Sequence, residues 1–309
     1  MTEKILNLTK IDMDSLIIYS KSEGILFEKF SDERINVRSI AKVVTSLACG
    51  ILIEKSHGDF NEDTLIYDIL KDRVSIANRK NIPKLKKIRV KDCLTHTMGY
   101  RDIILMSKDI IDLNKDKLLD YTLSYPLYYE PGKEFLYSNA GYYVLSATME
   151  EYLGYDLFDF INENLFKKLD ISSPRWESYG KYLVGASKLY LNSQDLLRLG
   201  KLILNEGLYE GERIVSSSWI RKMSSSLYKN DKDYIDRSAL SDDYYGYSLW
   251  TGKDDLVYAS GTGGQYVIFL EKEGIIIVTT NGGDSNKAPL IKSQITTIIQ
   301  DFRKEYNGL

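Results

Sequence analysis

Apolar positions change their period three times along the chain. Near the N-terminus, SLIIYSKSEGILFEK (15–29) places two short apolar runs on either side of a Ser-Glu-Gly turn, which predicts a β-hairpin. From Ser39 to Lys55 the period lengthens: Val43, Leu47 and Ile51 recur every four residues, with Val44, Ala48 and Leu52 beside them, so the segment reads as a helix. A charged, helix-rich middle follows over about 60–235. Within it AGYYVLSATMEEYLG (140–154) and SQDLLRLGKLILNEG (193–207) carry helical apolar spacing, the second with Ser193 and Gly207 as start and stop signals. Beyond residue 243, YYGYSLWTG, DLVYAS, GQYVIFLE and GIIIVTTN return to strand-like runs separated by Gly and Asp turns, and a last helix is expected over about 286–306.

Strands at both ends with helices between them predict an α+β fold. Its antiparallel sheet is assembled from N- and C-terminal segments flanked by helices, with a mostly helical region inserted. The expected division is a discontinuous sheet domain, 1–70 with 240–309, and a helical domain, 71–239. The functional cleft is expected where the two meet.

Composition narrows the function classes. The chain has 309 residues, 43% of them hydrophobic and 28% charged, which is ordinary for a globular protein. A net charge of −3 gives no electrostatic support for a nucleic-acid partner. The start, MTEKILNLTKIDMDSLIIYSK, lacks a basic stretch followed by a long apolar one, and no apolar run is long enough to span a bilayer. The expected location is therefore cytoplasmic, without a membrane partner. Two cysteines, Cys49 and Cys93, are too few for a disulfide framework and read as small core residues. Two histidines, His57 and His96, without companions at ligand spacing predict no metal site, and no cofactor is implied. The 24 tyrosines are the one compositional excess.

Three short stretches can carry chemistry. In VRSIAKVVTSLACG, Ser39 and Lys42 stand three apart at the entrance of an apolar helix, on one face. Ser39 reads either as a helix cap or as a nucleophile beside a desolvated lysine able to take its proton. Ser178–Lys181 and Ser226–Lys229 repeat the spacing, but neither opens an apolar helix. Tyr137-Ser138-Asn139 follows a Pro-Gly break on a loop entering the next helix, which fits a turn with an Asn cap or a polar group facing a cleft. Tyr190–Asn192 and Tyr228–Asn230 repeat that spacing too. The glycines of ASGTGGQYVIF (259–269) suit a turn between strands, or a close backbone approach that helps hold an oxyanion.

Taken in order, Ser39–Lys42, THTMGY (95–100), PGKEFLYSNAGYYVL (131–145), SKLYLNSQDLLRLGKLILNEGLYEGERIVSSSWI (187–220) and ASGTGGQY (259–266) resemble the serine β-lactamase and penicillin-binding-protein superfamily. The branch they look most like is the class C-related one, with its D-alanyl-D-alanine carboxypeptidases, D-aminopeptidases, family VIII esterases and nylon-oligomer hydrolases. The resemblance runs from about residue 15 to 305. It implies a β-lactamase/transpeptidase-like fold and a serine hydrolase acting on a small ester or amide. Ser39 would be acylated, Lys42 would be its proton acceptor or orienting cation, and Tyr137 would be the general base and acid, its pKa lowered by the nearby ammonium. Asn139, with Ser260, Gly261 and Thr262, would meet the substrate, and the N–H groups of Ser39 and Thr262 would form the oxyanion hole. His96 would be structural. Where penicillin-recognising relatives carry Lys-Thr-Gly, this chain has Ala259-Ser260-Gly261, which points towards the esterase and amidase side. Two alternatives stay open: a penicillin-binding protein or weak β-lactamase, and a catalytically silent binding protein of the same fold.

Overall fold

The computed structural model describes residues 13–232 and 234–307. The N-terminal hairpin forms as β1 (Ser15–Ser20) and β2 (Gly24–Lys29). It joins one edge of an eight-stranded sheet whose other members come from the C-terminal third. These are β3 (Tyr228–Lys229), β4 (Tyr244–Tyr245), β5 (Trp250–Thr251), β6 (Val257–Gly261), β7 (Gln265–Leu270) and β8 (Ile275–Thr280). The order is β3-β4-β5-β6-β7-β8-β1-β2, antiparallel throughout. β1 and β8 run in register from Ser15 opposite Thr280 to Ser20 opposite Ile275, so the pairing ties the two chain ends into one layer.

Both faces of this sheet are covered, which explains why its central strands are apolar without interruption. Ile17, Val267, Phe269, Ile276 and Val278 pack with the helical core on one face. Their neighbours Leu16, Ile18, Ile268, Ile275 and Ile277 form a second core with Ile291, Ile295 and Ile299 on the other. The period of two in β1, β7 and β8 therefore divides one apolar run between two layers.

Five helices matter for the site: α1 (Ala41–Lys55), α2 (Val90–Leu94), α3 (Ala140–Leu153), α4 (Ser193–Leu204) and α5 (Ala288–Asn307). α1 is buried on every side from Ala41 to Leu52, as an apolar helix at the centre of a core must be. α4 shows the opposite pattern, one apolar stripe, and lies along β7, β8 and β1. It is capped by Asn192 rather than by Ser193, the Asn192 side chain accepting from the Asp195 N–H while Asp195 accepts from the Asn192 N–H at 3.2 Å. α3 ends at Gly154, whose left-handed conformation a β-carbon would disfavour. Cys49 and Cys93 are buried free thiols.

Where the 184–187 segment crosses α3 there is no room for a side chain. A β-carbon on Gly185 would lie 2.2 Å from Ser146 Oγ and 2.6 Å from the Tyr142 carbonyl oxygen, and Gly185 has φ +65°. Its own carbonyl accepts from Thr45 Oγ1 on α1 at 2.7 Å, so this crossing fixes the segment against the two central helices. Gly185→Ala is expected to cost about 2–4 kcal/mol, from left-handed strain plus overpacking. Equilibrium urea unfolding checks this: a midpoint equal to that of the parent chain would contradict it.

Candidate active site

The nucleophile candidate does not cap its helix. α1 starts at Ala41, after a 3-10 turn over Arg38–Ile40, and neither turn nor helix has a side-chain cap bond. Arg38, immediately before Ser39, is held in the left-handed region at φ 54°, a conformation costing on the order of 1–2 kcal/mol for a residue with a β-carbon. Asn36 stabilises that turn: its Oδ1 accepts from the Arg38 N–H at 3.0 Å and from the Lys188 N–H at 3.2 Å. The outcome is a half-buried Ser39 hydroxyl with no structural duty in the helix start.

One turn on, Lys42 is fully buried. Its Nζ meets three oxygens: Ser39 Oγ at 3.2 Å, Asn139 Oδ1 at 2.9 Å and the Ala186 carbonyl at 3.2 Å. None is a carboxylate. Burial without a counter-ion lowers its pKa from the ordinary lysine value to about 7. The faces of the Tyr137 and Tyr142 rings, 4.8 and 5.7 Å from Nζ, offer the charged form only partial compensation. When neutral, Lys42 keeps two N–H donors for Asn139 and Ala186 and turns its lone pair towards the Ser39 hydroxyl.

Asn139 follows the same logic. It is the residue before α3, yet its side chain makes no cap. Its Nδ2 donates to the Leu105 carbonyl at 2.9 Å, which leaves Oδ1 facing Lys42. Tyr137, two residues earlier, is half-buried, and its hydroxyl has the Ser39 side chain as a hydrogen-bonding neighbour. The ring is fixed by His96 at 4.5 Å, Trp250 at 5.1 Å and Tyr245 at 5.7 Å between centroids. The expectation that a nearby ammonium lowers the phenol's pKa is not met: burial dominates and raises it well above the ordinary tyrosine value. The group brought towards neutrality is the lysine.

His96 is 4% exposed, its Nδ1 accepts a long bond from the Ser138 N–H at 3.5 Å, and its Nε2 has no partner among the described residues. Burial, then the charge on Lys42, pushes its pKa well below the usual histidine range, so it packs as a neutral ring among Tyr137, Tyr142, Tyr245 and Phe135.

The third stretch approaches through its backbone. A β-carbon on Gly261 would stand 2.8 Å from the Val37 carbonyl oxygen and 3.1 Å from Arg38 Cβ, so the end of β6 lies directly against the turn before Ser39. The turn that follows is braced from inside. Gln265 Oε1 accepts from the Gly263 N–H at 3.0 Å, Asn281 Nδ2 donates to the Gly263 carbonyl at 2.6 Å, and Thr279 Oγ1 donates to the Gly264 carbonyl at 2.8 Å. Thr262 is exposed at its tip. Ala259 belongs to the core shared with Val37 and Ile40, whereas Tyr258 faces the core under α5. Strand alternation therefore places Ser260 on the α5 face, away from the contacts expected of it, and leaves Gly261 towards Ser39.

The structure thus gathers Ser39, Lys42, Tyr137 and Asn139 within one set of contacts, with Gly261 alongside. The sequence repeats are used elsewhere. Lys181 pairs with Glu151 and Lys229 with Asp231; Asn192 caps α4, and Asn230 donates to the Asp242 carbonyl. Asn36, Asn281 and the carbonyls of Leu105 and Ala186 were not singled out by sequence reasoning. Gln265 carried a signal, in the Gly-Gln with which the chain enters β7.

Comparison with known proteins agrees with this architecture. Over 95% of this chain and 99% of the other, the fold superimposes on a penicillin binding protein from Bacillus halodurans with a TM-score of 0.71 at 15% identity. A D-amino acid amidase from Ochrobactrum anthropi SV3 gives 0.70 at 14% identity, covering 94% of this chain and 93% of that one. A family VIII carboxylesterase gives 0.63 at 15% identity, with 87% and 86% covered. At such identities the likeness is one of fold. Residues 28–294 match the Beta-lactamase family, and the chain belongs to it.

Proposed function

We propose that this member of a hydrolase-rich family is a serine hydrolase that forms an acyl-enzyme on Ser39 and acts on a small ester or amide. The observation that carries the reading is the environment of Lys42: buried, without a carboxylate, and in contact with the Ser39 hydroxyl. An ammonium whose pKa falls to about 7 is neutral in a large fraction of molecules at physiological pH. Only the neutral amine can accept a proton, which is what serine must lose to become a nucleophile.

In acylation, Ser39 Oγ attacks the substrate carbonyl carbon while its proton passes to Lys42 Nζ. The N–H groups of Ser39 and Thr262 receive the oxyanion, and the strand end at Gly261 and Thr262 lines the substrate side, whereas Ser260, expected there from the sequence, faces α5 and is left out of the substrate contacts. Tyr137 stays a neutral phenol. It donates its proton to the leaving group as the carbon–heteroatom bond breaks and takes one back from the Lys42 ammonium, which restores the neutral lysine. In deacylation the same pair removes a proton from water as its oxygen attacks the ester, and Lys42 returns that proton to Ser39. Asn139 holds the amine in line throughout. In this reading the cleft lies between the sheet layer and the inserted helical region. Ala259, where relatives that recognise penicillin carry lysine, supports an ester or amide substrate over a β-lactam.

Ser39→Ala is expected to abolish hydrolysis of p-nitrophenyl acetate while leaving the circular dichroism spectrum unchanged. Lys42→Ala should slow acylation by about 10²–10⁴-fold, the usual cost of losing a positioned base. Turnover by Ser39→Ala at the parent rate would remove Ser39 from the mechanism. The pH dependence carries a sign. Because the base works deprotonated, kcat/KM should rise with pH and level off, with an apparent pKa of about 7. A rise only in the range of an ordinary lysine would contradict the assignment.

A further inference from the structure

A cavity of about 800 Å³ lies away from Ser39. It opens behind the loop that carries Tyr137, between the segment Lys86–Thr95, the Pro131-Gly132-Lys133 turn and the edge strand β3. Its size falls within the range of small-molecule sites.

The walls differ in chemistry. One is cationic: Lys86, Lys87, Arg89, Lys91 and Lys133 all line it, with Asp92 as the one acidic lining residue. This concentration is already present in the chain, since the segment between Asp72 and Asp92 holds lysines and arginines and no acid, in a protein whose net charge is −3. Lys87 pairs with Glu130, and Arg89 and Lys91 share Asp63. Lys86 and Lys133 have no acidic partner among the described residues. Asp92 is already used: its Oδ2 accepts from the Arg89 N–H at 2.8 Å, in the capping box of α2. The other side carries Leu227 and the rings of Tyr228 and Tyr247, while Leu65, bridged to Arg89, and Pro131, in the same turn as Lys133, add apolar surface beside the cations.

This cavity is separate from the catalytic group. Tyr228 stacks on Phe135 at 6.4 Å, Phe135 lies 5.8 Å from Tyr245, and Tyr245 lies 5.7 Å from Tyr137. The aromatic layer stands between the two. Tyr228 also donates to the Gly132 carbonyl at 3.2 Å, which ties the edge strand to the cavity's floor.

We propose that this cavity is a second binding site, for a phosphorylated small molecule with a ring-bearing body. The phosphates meet Lys86, Lys133 and their cationic neighbours, and the ring lies against Tyr228 and Leu227. Surface ion pairs contribute little to stability, so Lys87, Arg89 and Lys91 can exchange carboxylate for phosphate at small cost. Phosphate contacts made by several lysines at once are charge-assisted and salt-sensitive.

Isothermal titration at low salt, with ATP and with inorganic pyrophosphate as separate probes, tests this. ATP is expected to bind more tightly than pyrophosphate and to lose affinity as salt rises. Combining Lys86→Ala with Lys133→Ala should weaken ATP at least about tenfold, each tenfold corresponding to about 1.4 kcal/mol. Both side chains are exposed, so an unchanged melting temperature confirms that the variant is folded. Ser39→Ala should bind ATP as the parent does, so the result stands whether or not Ser39 is the nucleophile. Absence of ATP binding, or affinity indifferent to the lysine pair, would overturn the site. Equal affinity for pyrophosphate would overturn the role of the aromatic wall, and loss of binding in Ser39→Ala would place the ligand in the catalytic cleft instead.

Discussion

The structure depends on one buried amine. Lys42 sits at the start of a helix enclosed on all sides, and among the described residues no carboxylate reaches it. A charge in that position is held only by oxygens aimed at it, and the surrounding chain is arranged to aim them. Gly185 lets the 184–187 segment cross α3 closely enough for the Ala186 carbonyl to face Nζ. The Leu105 carbonyl fixes the Asn139 amide so that oxygen, not nitrogen, faces the lysine. What these contacts leave uncompensated appears as a proton affinity brought down to about 7. In the proposed mechanism, reactivity at Ser39 follows from that deficit.

The serine is prepared by the backbone on its other side. Arg38 occupies a left-handed conformation that an unsupported arginine would leave, and Asn36 and the close approach of Gly261 hold it there. The same approach brings β6 alongside Ser39, where a strand ending in a braced glycine turn can present N–H groups. Tyr137 is stacked rather than charged. Its ring is fixed by His96 and Trp250, and its proton is retained by burial. In the proposed mechanism the division of labour is a lysine that rests close to neutrality and a tyrosine that rests protonated.

Much of this was legible in the sequence, for identifiable reasons. The hairpin at 15–29, the strands after 243 and the helices at 41–55, 140–153 and 193–204 declare themselves through period and turn residues, because burial on one or two faces leaves no other pattern. Ser39 could not be told from Ser178 or Ser226 by spacing, but only Ser39 opens an apolar helix, and burial is what separates Lys42 from the ion-paired Lys181 and Lys229. Less was legible where tertiary contacts decide. Asn36, Ala186 and Leu105 act through long-range backbone or amide contacts that leave no local pattern, and the helix start shifted from Ser39 to Ala41 because a 3-10 turn intervenes. The sign of the Tyr137 shift went the other way because desolvation outweighs a neighbouring cation that is itself close to neutral.

The central claim is that Ser39 is chemically activated by its surroundings. Its most direct test is incubation of the intact protein with a fluorophosphonate probe, followed by intact mass and peptide mapping. One adduct per chain, located on Ser39 and absent after Lys42→Met, is the predicted result. A folded protein that remains unmodified, or an adduct on another serine, would contradict it.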